Sequence, residues 1–277
     1  MTRLSRSLLF VPGDRPERFD KAAASGAHEI VLDLEDSVAP AAKAGARDAV
    51  ARWLDGGRQV QAGLQVGVQA GVQVRVNGWQ TPWFDDDLAL LRTLPAATAM
   101  LPKADAESLA AVAAALPGRQ VVALLETARG WRDLRALAAL PNVARIAFGS
   151  VDFEAETGIA DDGDALTPVR TQIVLESRAA GLAAPIDGVS LAFDDEDAMR
   201  RHALRARRFG FGGKLCIHPR QVAAVNGAWQ PSAEERAWAE RVLAAFQASG
   251  GGVTTVDGKM VDKPVVERAR QIAAEAG

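Results

Sequence analysis

Cysteine and histidine are scarce in this sequence of 277 residues, which contains one cysteine, Cys216, and three histidines. A single cysteine excludes an intramolecular disulfide and favours a reducing compartment over a secreted context. The same shortage argues against a zinc site built from nitrogen and sulfur ligands. A chain of this length buries enough surface to fold without either kind of support.

Long hydrophobic runs and an excess of positive charge are also missing. The first apolar run ends at Pro12, which makes it too short for the core of a signal peptide, and no window approaches a transmembrane span. The 32 basic residues face 35 acidic ones, so there is no broad basic surface for nucleic acid, although a local anion site stays open. We therefore expect a soluble, cytoplasmic protein that binds neither nucleic acid nor membrane.

Short β-like runs alternate with stretches of helical spacing along most of the chain. This order is typical of parallel βαβ units, and eight repeats predict a closed α/β TIM barrel, (β/α)8, rather than an open sheet. The predicted strands are Ser7–Val11, Glu29–Leu34, Val72–Val76, Ala97–Leu101, Gln120–Leu125, Ala144–Phe148, Gly188–Leu191 and Lys214–Ile217. Predicted helices include Ala104–Leu116, Ala128–Leu140 and Asp194–Phe209. Thr167-Pro168 indicates a helix start with a capping threonine, and Ser232 to Glu235 indicates a capping box.

Two segments do not follow the alternation. Residues 60–71 form a tandem of period four, rich in Gln and Gly, which we interpret as an expanded surface loop before the third strand. After Gly250-Gly251-Gly252, the turn pair Asp257-Gly258 predicts a hairpin, and Pro264 begins a last helix. We therefore predict a catalytic barrel domain over residues 1–249 and a C-terminal hairpin-helix flap over 250–277 that contacts a neighbouring subunit.

Charged and polar residues follow nearly every one of the first six predicted strands. The active site of an α/β barrel is built at the carboxyl ends of its strands, and folding alone does not require charge at each of them. This pattern is the main functional signal of the sequence. The residues in strand order are Asp14, Arg15, Glu17 and Arg18; Asp33, Glu35 and Asp36; Arg75 and Asn77; Lys103; Glu126; and Asp152.

Two acids at the ends of adjacent strands, Glu126 and Asp152, indicate a metal site. Like charges in one site repel each other unless a cation or a shared proton holds them, and hard oxygen ligands suit Mg²⁺. Arg75 alternates with valines in its strand and can grip a carboxylate through two parallel hydrogen bonds. The structural alternative is that each acid caps a helix or pairs with arginine, and that Arg75 forms a buried ion pair with Asp33 or Glu35.

Lysine chemistry is limited to a few positions. Lys103 and Lys214 could each form a Schiff base if their pKa were lowered, but the acids at the rim favour a charged ammonium and an electrostatic role. For His218 we expect a structural hydrogen bond. The arginines at 200, 201, 205, 207 and 208 on one predicted helix form a solvated face, with docking of coenzyme A phosphates as the alternative.

Nine segments in order along the chain carry a resemblance to a known family. They are Arg6–Arg18, Asp33–Val38, Arg75–Asn77, Leu101–Lys103, Glu126-Thr127, Phe148–Phe153, Gly210–Pro219, Pro231–Glu235 and Asp257–Pro264. Together they resemble the citrate lyase beta-subunit family of the HpcH/HpaI-type aldolases, which includes malyl-, citramalyl- and citryl-CoA lyases.

The resemblance implies a Mg²⁺-dependent barrel enzyme, trimeric or hexameric, that cleaves or forms a carbon–carbon bond in an acyl-CoA thioester. It implies that Glu126 and Asp152 are the metal ligands and that Arg75 binds the substrate carboxylate and carbonyl. Arg15 and Glu126 are further candidate substrate contacts. Asp262, before the proline of the tail, corresponds to the catalytic residue that a C-terminal flap brings to a neighbour's site in relatives similar to malyl-CoA lyase.

Three other functions stay open at this stage. A 2-keto acid aldolase of the same superfamily would act without coenzyme A, and a thioesterase would need the same site and a water molecule. A citrate lyase subunit that is inactive without its partner chains is the third. The acyl group also stays open, because a methyl or carboxymethyl difference is distinguished by loop packing rather than by these segments.

Overall fold

The computed structural model describes residues 4–55, 71–160 and 163–276. The chain divides into two compact units, Met1–Asn226 and Gly227–Gly277. The functional division predicted between residues 249 and 250 stays a prediction. All of the Gln/Gly tandem except Gly71 lies outside the described residues.

Eight parallel strands close into a barrel in the first unit, in the order of the chain, which confirms the predicted fold class. β1 closes the barrel by pairing with both β2 and β8. The strands are β1 Ser7–Pro12, β2 Glu29–Asp33, β3 Gly71–Arg75, β4 Thr98–Leu101, β5 Val121–Leu125, β6 Val143–Phe148, β7 Ile186–Asp187 and β8 Gly213–Cys216.

Side chains from nearly all of these strands form one apolar cluster, so the barrel is a packed core and not a pore. Leu8 of β1, Met100 of β4 and Ile186 of β7 each lie in it with no exposed surface. The polar end of this core, at the carboxyl ends of the strands, carries the candidate site.

Helices connect the strands, as the alternation of patterns predicted. Asp105 and Ser108 form a reciprocal capping box at α4, which fixes where the chain leaves β4. The helices are α1 Phe19–Ala23, α2 Lys43–Asp55, α3 Phe84–Thr93, α4 Ala106–Ala115, α5 Ala128–Arg132, α6 Leu134–Ala138, α7 Ser150–Thr157, α8 Thr167–Ala179, α9 Glu196–Phe209 and α10 Arg220–Ala228, with short 3-10 turns at Pro16–Arg18 and Pro40–Ala42.

The seventh strand was predicted wrongly at Gly188–Leu191. The strand is Ile186–Asp187, and Leu191 is 67% exposed. A strand of two residues that includes a buried aspartate gives no apolar alternation, whereas the loop after it does. There Val189 packs on the core and the Ser190 hydroxyl contacts His202.

Two helix predictions also need correction. The stretch Ala128–Leu140 forms two short helices rather than one, because the backbone leaves helical geometry at Asp133. Thr167 is the first residue of α8 and not its cap, which is Leu166 and makes no side-chain cap hydrogen bond. Pro168 lies in the first turn, where its missing N–H costs nothing.

The second unit consists of α11 Ala233–Ala248, the strands β9 Thr254–Val256 and β10 Lys259–Val261, and α12 Lys263–Ala276. The predicted capping box of Ser232 and Glu235 is present. So is the predicted hairpin, whose turn residues Asp257 and Gly258 both have positive φ, 51° and 72°. Val242 and Ala269 lie in the small core between α11 and α12.

No helix among the described residues is both long enough and apolar enough to cross a membrane.

Candidate active site

Arg75 is held by carboxylates from the neighbouring strand. It is the last residue of β3 and lies in register with Asp33, the last residue of β2. Its Nε and Nη2 donate to the two oxygens of Asp33 at 2.7 Å each, a bidentate pair buried in the barrel. Its Nη1 lies 2.9 Å from Glu35 and 3.4 Å from Asp36, and the guanidinium lies over the ring of Phe10. The ion pair foreseen with Asp33 or Glu35 is therefore present with both.

This pair is electrostatically strong. Burial alone raises the pKa of Asp33, but the hydrogen bonds and charge of Arg75 outweigh burial, and the net pKa is lowered. Burial likewise lowers the pKa of Arg75, and the Asp33 hydrogen bond and the surrounding acids reverse this effect, so its pKa is raised. Asp33 is ionised at neutral pH and fixes the plane of the guanidinium.

Glu35 and Lys103 form a second link across the rim. The Lys103 ammonium donates to Glu35 Oε1 at 2.6 Å and lies 3.8 Å from Glu126 Oε1. Burial raises the pKa of Glu35 more than Arg75 and Lys103 lower it. Burial lowers the pKa of Lys103, but Glu35 and Glu126 more than compensate, so the net pKa is raised. This is the charged ammonium that the sequence predicted, and it does not favour Schiff-base chemistry.

Glu126 follows β5 and is 1% exposed. Its Oε1 accepts the backbone N–H of Lys103 at 2.8 Å, while Oε2 has no hydrogen-bond partner among the described residues. Burial raises the pKa of Glu126 to about 8, and the charges of Glu35 and Asp152 add to this effect. A buried carboxyl oxygen without a partner is costly, so it calls for an additional ligand.

Asp152 lies near enough to Glu126 for its charge to raise the pKa of that carboxyl. Asp152 lies in the first turn of α7, directly after β6. Gly149, between them along the chain, lets this loop pass close to Glu126. A Cβ at Gly149 would lie 2.5 Å from Glu126 Oε2 and 2.6 Å from its Cβ.

Two other predicted site residues make local contacts. Arg15 is in the loop after β1, with an exposed side chain 3.7 Å from Glu17. Asp262 belongs to the second unit, between β10 and α12, where its carboxylate accepts the N–H of Val265 at 3.3 Å. It thus caps the last helix. The catalytic role of Asp262 and the substrate contact of Arg15 stay predictions.

Other residues singled out from the sequence serve the fold. Lys214 lies buried in β8, where its ammonium donates to Asp187 at 2.9 Å and to the Gly188 carbonyl at 2.6 Å. His218 accepts the N–H of Arg220 through Nδ1, which is the structural hydrogen bond that we expected.

A group of residues beside the cluster was not predicted from the sequence. Lys43, 5% exposed in α2, donates to the carbonyls of Leu34 and Glu35 at 2.7 Å each and so fixes the loop that carries Glu35. A cavity of about 490 Å³ opens next to Glu35 and Lys103, with Trp79 and Trp83 in its wall. A lysine in the first turn of a helix next to an acidic loop was the available signal for Lys43.

The donor set fits a hard divalent cation. No group of three or more His, Cys, Asp or Glu side chains able to hold a metal occurs in the described part of the chain. Glu126 and Asp152 supply two carboxylates, and a small hard cation commonly takes one or two from the protein and completes its shell with water and substrate oxygens. The partnerless oxygen of Glu126 is the specific observation that such an ion would satisfy.

The chain is similar to known proteins over nearly its full length. The family model of HpcH/HpaI aldolase/citrate lyase matches residues 6–219. A (3S)-malyl-CoA thioesterase of Cereibacter sphaeroides is 36% identical, covering 98% of this chain and 94% of that protein. A citrate lyase subunit beta-like protein of Mycobacterium tuberculosis is 39% identical, covering 97% and 94%.

Among solved structures, CitE from Mycobacterium tuberculosis in complex with magnesium, acetoacetate and coenzyme A superposes with a TM-score of 0.84 at 36% identity, covering all of both chains. The match of the family model spans the barrel strands and the candidate site, and the similarity of the relatives extends to nearly the full length. The chain belongs to the HpcH/HpaI aldolase/citrate lyase family.

Proposed function

We propose that this protein is a Mg²⁺-dependent carbon–carbon lyase that acts on a β-hydroxyacyl-CoA thioester such as malyl-, citramalyl- or citryl-CoA. The products are a keto acid, or glyoxylate from malyl-CoA, and an acyl-CoA of the acetyl-CoA type. The observation that carries the proposal is the buried, partnerless oxygen of Glu126 beside Asp152 and Arg75. The complex of the similar CitE protein with magnesium, acetoacetate and coenzyme A supports it.

Glu126 and Asp152 would hold the magnesium ion. When bound, Mg²⁺ supplies Lewis-acid polarisation of the substrate oxygen that becomes the carbonyl of the keto acid. The Lys103 N–H holds Glu126 Oε1 at 2.8 Å, which keeps Oε2 of the same carboxylate available for the cation. Gly149 also helps to fix the position of Glu126, because the side chain of a larger residue would displace that carboxylate.

Arg75 orients the substrate in this proposal. A guanidinium has five N–H groups; Asp33 takes two and Nη1 faces Glu35 and Asp36, so the second N–H of Nη2 is the donor that Arg75 can offer to a carboxylate or to a developing oxyanion. Because Asp33 and Phe10 fix the guanidinium, little reorganisation is needed when charge develops. In the cleavage direction the β-hydroxyl passes its proton to water in the site, its C–O becomes a carbonyl and the Cα–Cβ bond breaks. The electron pair passes to the thioester, which becomes an enolate.

The enolate then takes up a proton at carbon, and we assign this proton to Asp262. The assignment comes from the resemblance of Asp257–Pro264 to the flap of malyl-CoA lyase-like relatives, in which a neighbouring subunit supplies the residue. It requires an oligomer, and the resemblance implies a trimer or hexamer. Asp262→Asn should keep the fold and the metal affinity but lose turnover, and normal turnover of this variant would refute the role.

A thioesterase outcome is the second candidate, favoured by the 36% identity with (3S)-malyl-CoA thioesterase. In that reaction water attacks the thioester carbonyl and free coenzyme A leaves, so the keto acid never forms. The two outcomes differ in products and not in the residues that bind the substrate.

The test is a panel of malyl-, citramalyl- and citryl-CoA, each incubated with Mg²⁺ or with EDTA, with separate measurement of acetyl-CoA, keto acid and free coenzyme A. Metal-dependent acetyl-CoA together with keto acid would establish the lyase and identify its substrate. Free coenzyme A with an intact hydroxy acid would instead establish the thioesterase. Glu126→Gln is the matched control, because it keeps size and hydrogen bonding but removes the charge. If no product formed from any of the three thioesters, the proposal would be overturned in favour of a CoA-independent aldolase or a subunit that needs partner chains.

A further inference from the structure

Lys103 has an unusual backbone for a residue with a long side chain. Its φ is +49°, in the left-handed region that glycine adopts most readily. Strained residues of this kind persist where the surrounding contacts hold them, and they cluster at functional sites. In this conformation the Lys103 N–H donates to Glu126 Oε1 at 2.8 Å while its ammonium reaches Glu35 Oε1 at 2.6 Å. Lys103, which follows β4, therefore binds one acid that follows β2 and another that follows β5.

Besides these hydrogen bonds, Lys103 contributes a positive charge to the acidic cluster. Arg75, a second cation of the cluster, is engaged by Asp33 at 2.7 Å and by Glu35 at 2.9 Å. The Lys103 ammonium lies 3.8 Å from Glu126 Oε1, and it makes no hydrogen bond to Oε2, the partnerless oxygen. Its ammonium thus offsets the acids without occupying the open oxygen.

We infer that Lys103 is a positioning residue that presets the cation site and limits its affinity. Its N–H aims Glu126, and its ammonium, held by Glu35, offsets part of the negative charge that a divalent cation would otherwise meet. The ammonium and the cation then repel each other, so the cation binds more weakly and leaves more easily. This inference rests on the proposed function, because it concerns the cation held by Glu126 and Asp152.

Two variants separate the side chain from the backbone. Lys103→Met removes the ammonium and keeps the left-handed strain, and Lys103→Gly removes the ammonium and relieves that strain while keeping the N–H. Isothermal titration with Mn²⁺ and Mg²⁺ should show about tenfold tighter binding by both variants, since a unit charge beside a divalent ion is removed. Lys103→Gly should also melt at a higher temperature than Lys103→Met in EDTA.

Lys103→Arg and Lys21→Met are the controls. Lys103→Arg keeps the charge and should bind the metal with nearly the wild-type affinity, and Lys21→Met removes an exposed charge of the first helix and should also leave the affinity unchanged. Unchanged or weaker metal binding by both Lys103→Met and Lys103→Gly, with wild-type binding intact, would overturn the role of Lys103 alone. Absence of binding by the wild type, or binding that survives Glu126→Gln, would overturn the proposed function and this inference with it.

Discussion

Two buried carboxylate networks in the same barrel differ in their balance of charge. Between β7 and β8, Asp187 is paired with Arg170 of α8 at 3.2 Å and with Lys214 at 2.9 Å. Burial raises the pKa of Asp187, but the two cations outweigh burial and lower it overall. One acid meets two cations, and the network is closed within the fold.

The network at the ends of β2 to β6 has the opposite balance. Five acids gather there around three cations, Arg75, Lys103 and Lys43; the acids are Asp33, Glu35, Asp36, Glu126 and Asp152. Glu126 keeps an oxygen without a partner, and its pKa is raised to about 8. A network that is closed stabilises the barrel, whereas an excess of acid around the buried Glu126 marks the place for an added cation.

The largest expected effect is in the closed network. Asp187→Asn removes the carboxylate and leaves Arg170 and Lys214 as buried cations without it, so we expect a loss of about 3–5 kcal/mol in the free energy of unfolding. Urea denaturation at neutral pH measures it. The matched control is Asp86→Asn, which removes the largely exposed partner of Arg47 and should cost less than about 1 kcal/mol. Equal small losses would mean that the Asp187 network contributes little.

The stability that the acid-rich network contributes should decrease as the pH rises. This is opposite to the effect of an acid whose pKa is lowered in the folded state, such as Asp187. Because the fold raises the pKa of Glu126 from 4.5 to about 8, the metal-free protein carries no penalty below pH 4.5 and the full penalty above about pH 8. Its stability should therefore fall as the pH rises through this window. In EDTA, Glu126→Gln should be more stable than wild type by a few kcal/mol near pH 9 and about equal near pH 4.5. An equal difference at both pH values would show that ionisation of Glu126 is not the cause.

A smaller effect is expected where the acid-rich network orients its arginine. Asp33→Asn removes the ionised half of the bidentate pair, so Arg75 should lose its fixed plane while Glu126 and Asp152 stay in place. We expect kcat/KM for the thioester to fall about 10–100-fold, mainly through KM, with metal affinity within about twofold of wild type. Steady-state kinetics and metal titration on the same preparation measure both. A parallel loss of metal affinity would mean that Asp33 supports the cation site as a whole.

Much of this comparison could be predicted from the sequence, because it depends on where strands end. The rim residues Arg75, Lys103, Glu126 and Asp152 each follow a buried apolar run, and parallel strands bring their carboxyl ends to one edge. The eight-strand closure followed from the same alternation. These features survive errors of one or two residues in a strand boundary.

The parts that could not be predicted depend on individual side chains and short elements. The closed network around Asp187 was not predicted because Ile186–Asp187 is a two-residue strand with no apolar alternation. The left-handed backbone of Lys103 has no signal in a Leu-Pro-Lys motif, and the buried Lys43 would be expected on a solvated helix face. The partnerless oxygen of Glu126 is a property of the assembled site and not of any one segment.

The smallest expected effect tests whether the position of Glu126, and not only its charge, sets the cation site. Gly149→Ala places a Cβ 2.5 Å from Glu126 Oε2 and 2.6 Å from its Cβ, so the carboxylate must shift. We expect a loss of about 1–2 kcal/mol in stability and a measurable loss of metal affinity. Gly213→Ala is the control, because its Cβ would meet the carbonyls of Ser5 and Arg6 at 2.7 Å, at the start of β8 and away from the acids. It should cost similar stability but keep the metal affinity. If both variants kept that affinity, the excess of negative charge alone would define the site, and the close approach of Gly149 would serve only the packing of the loop.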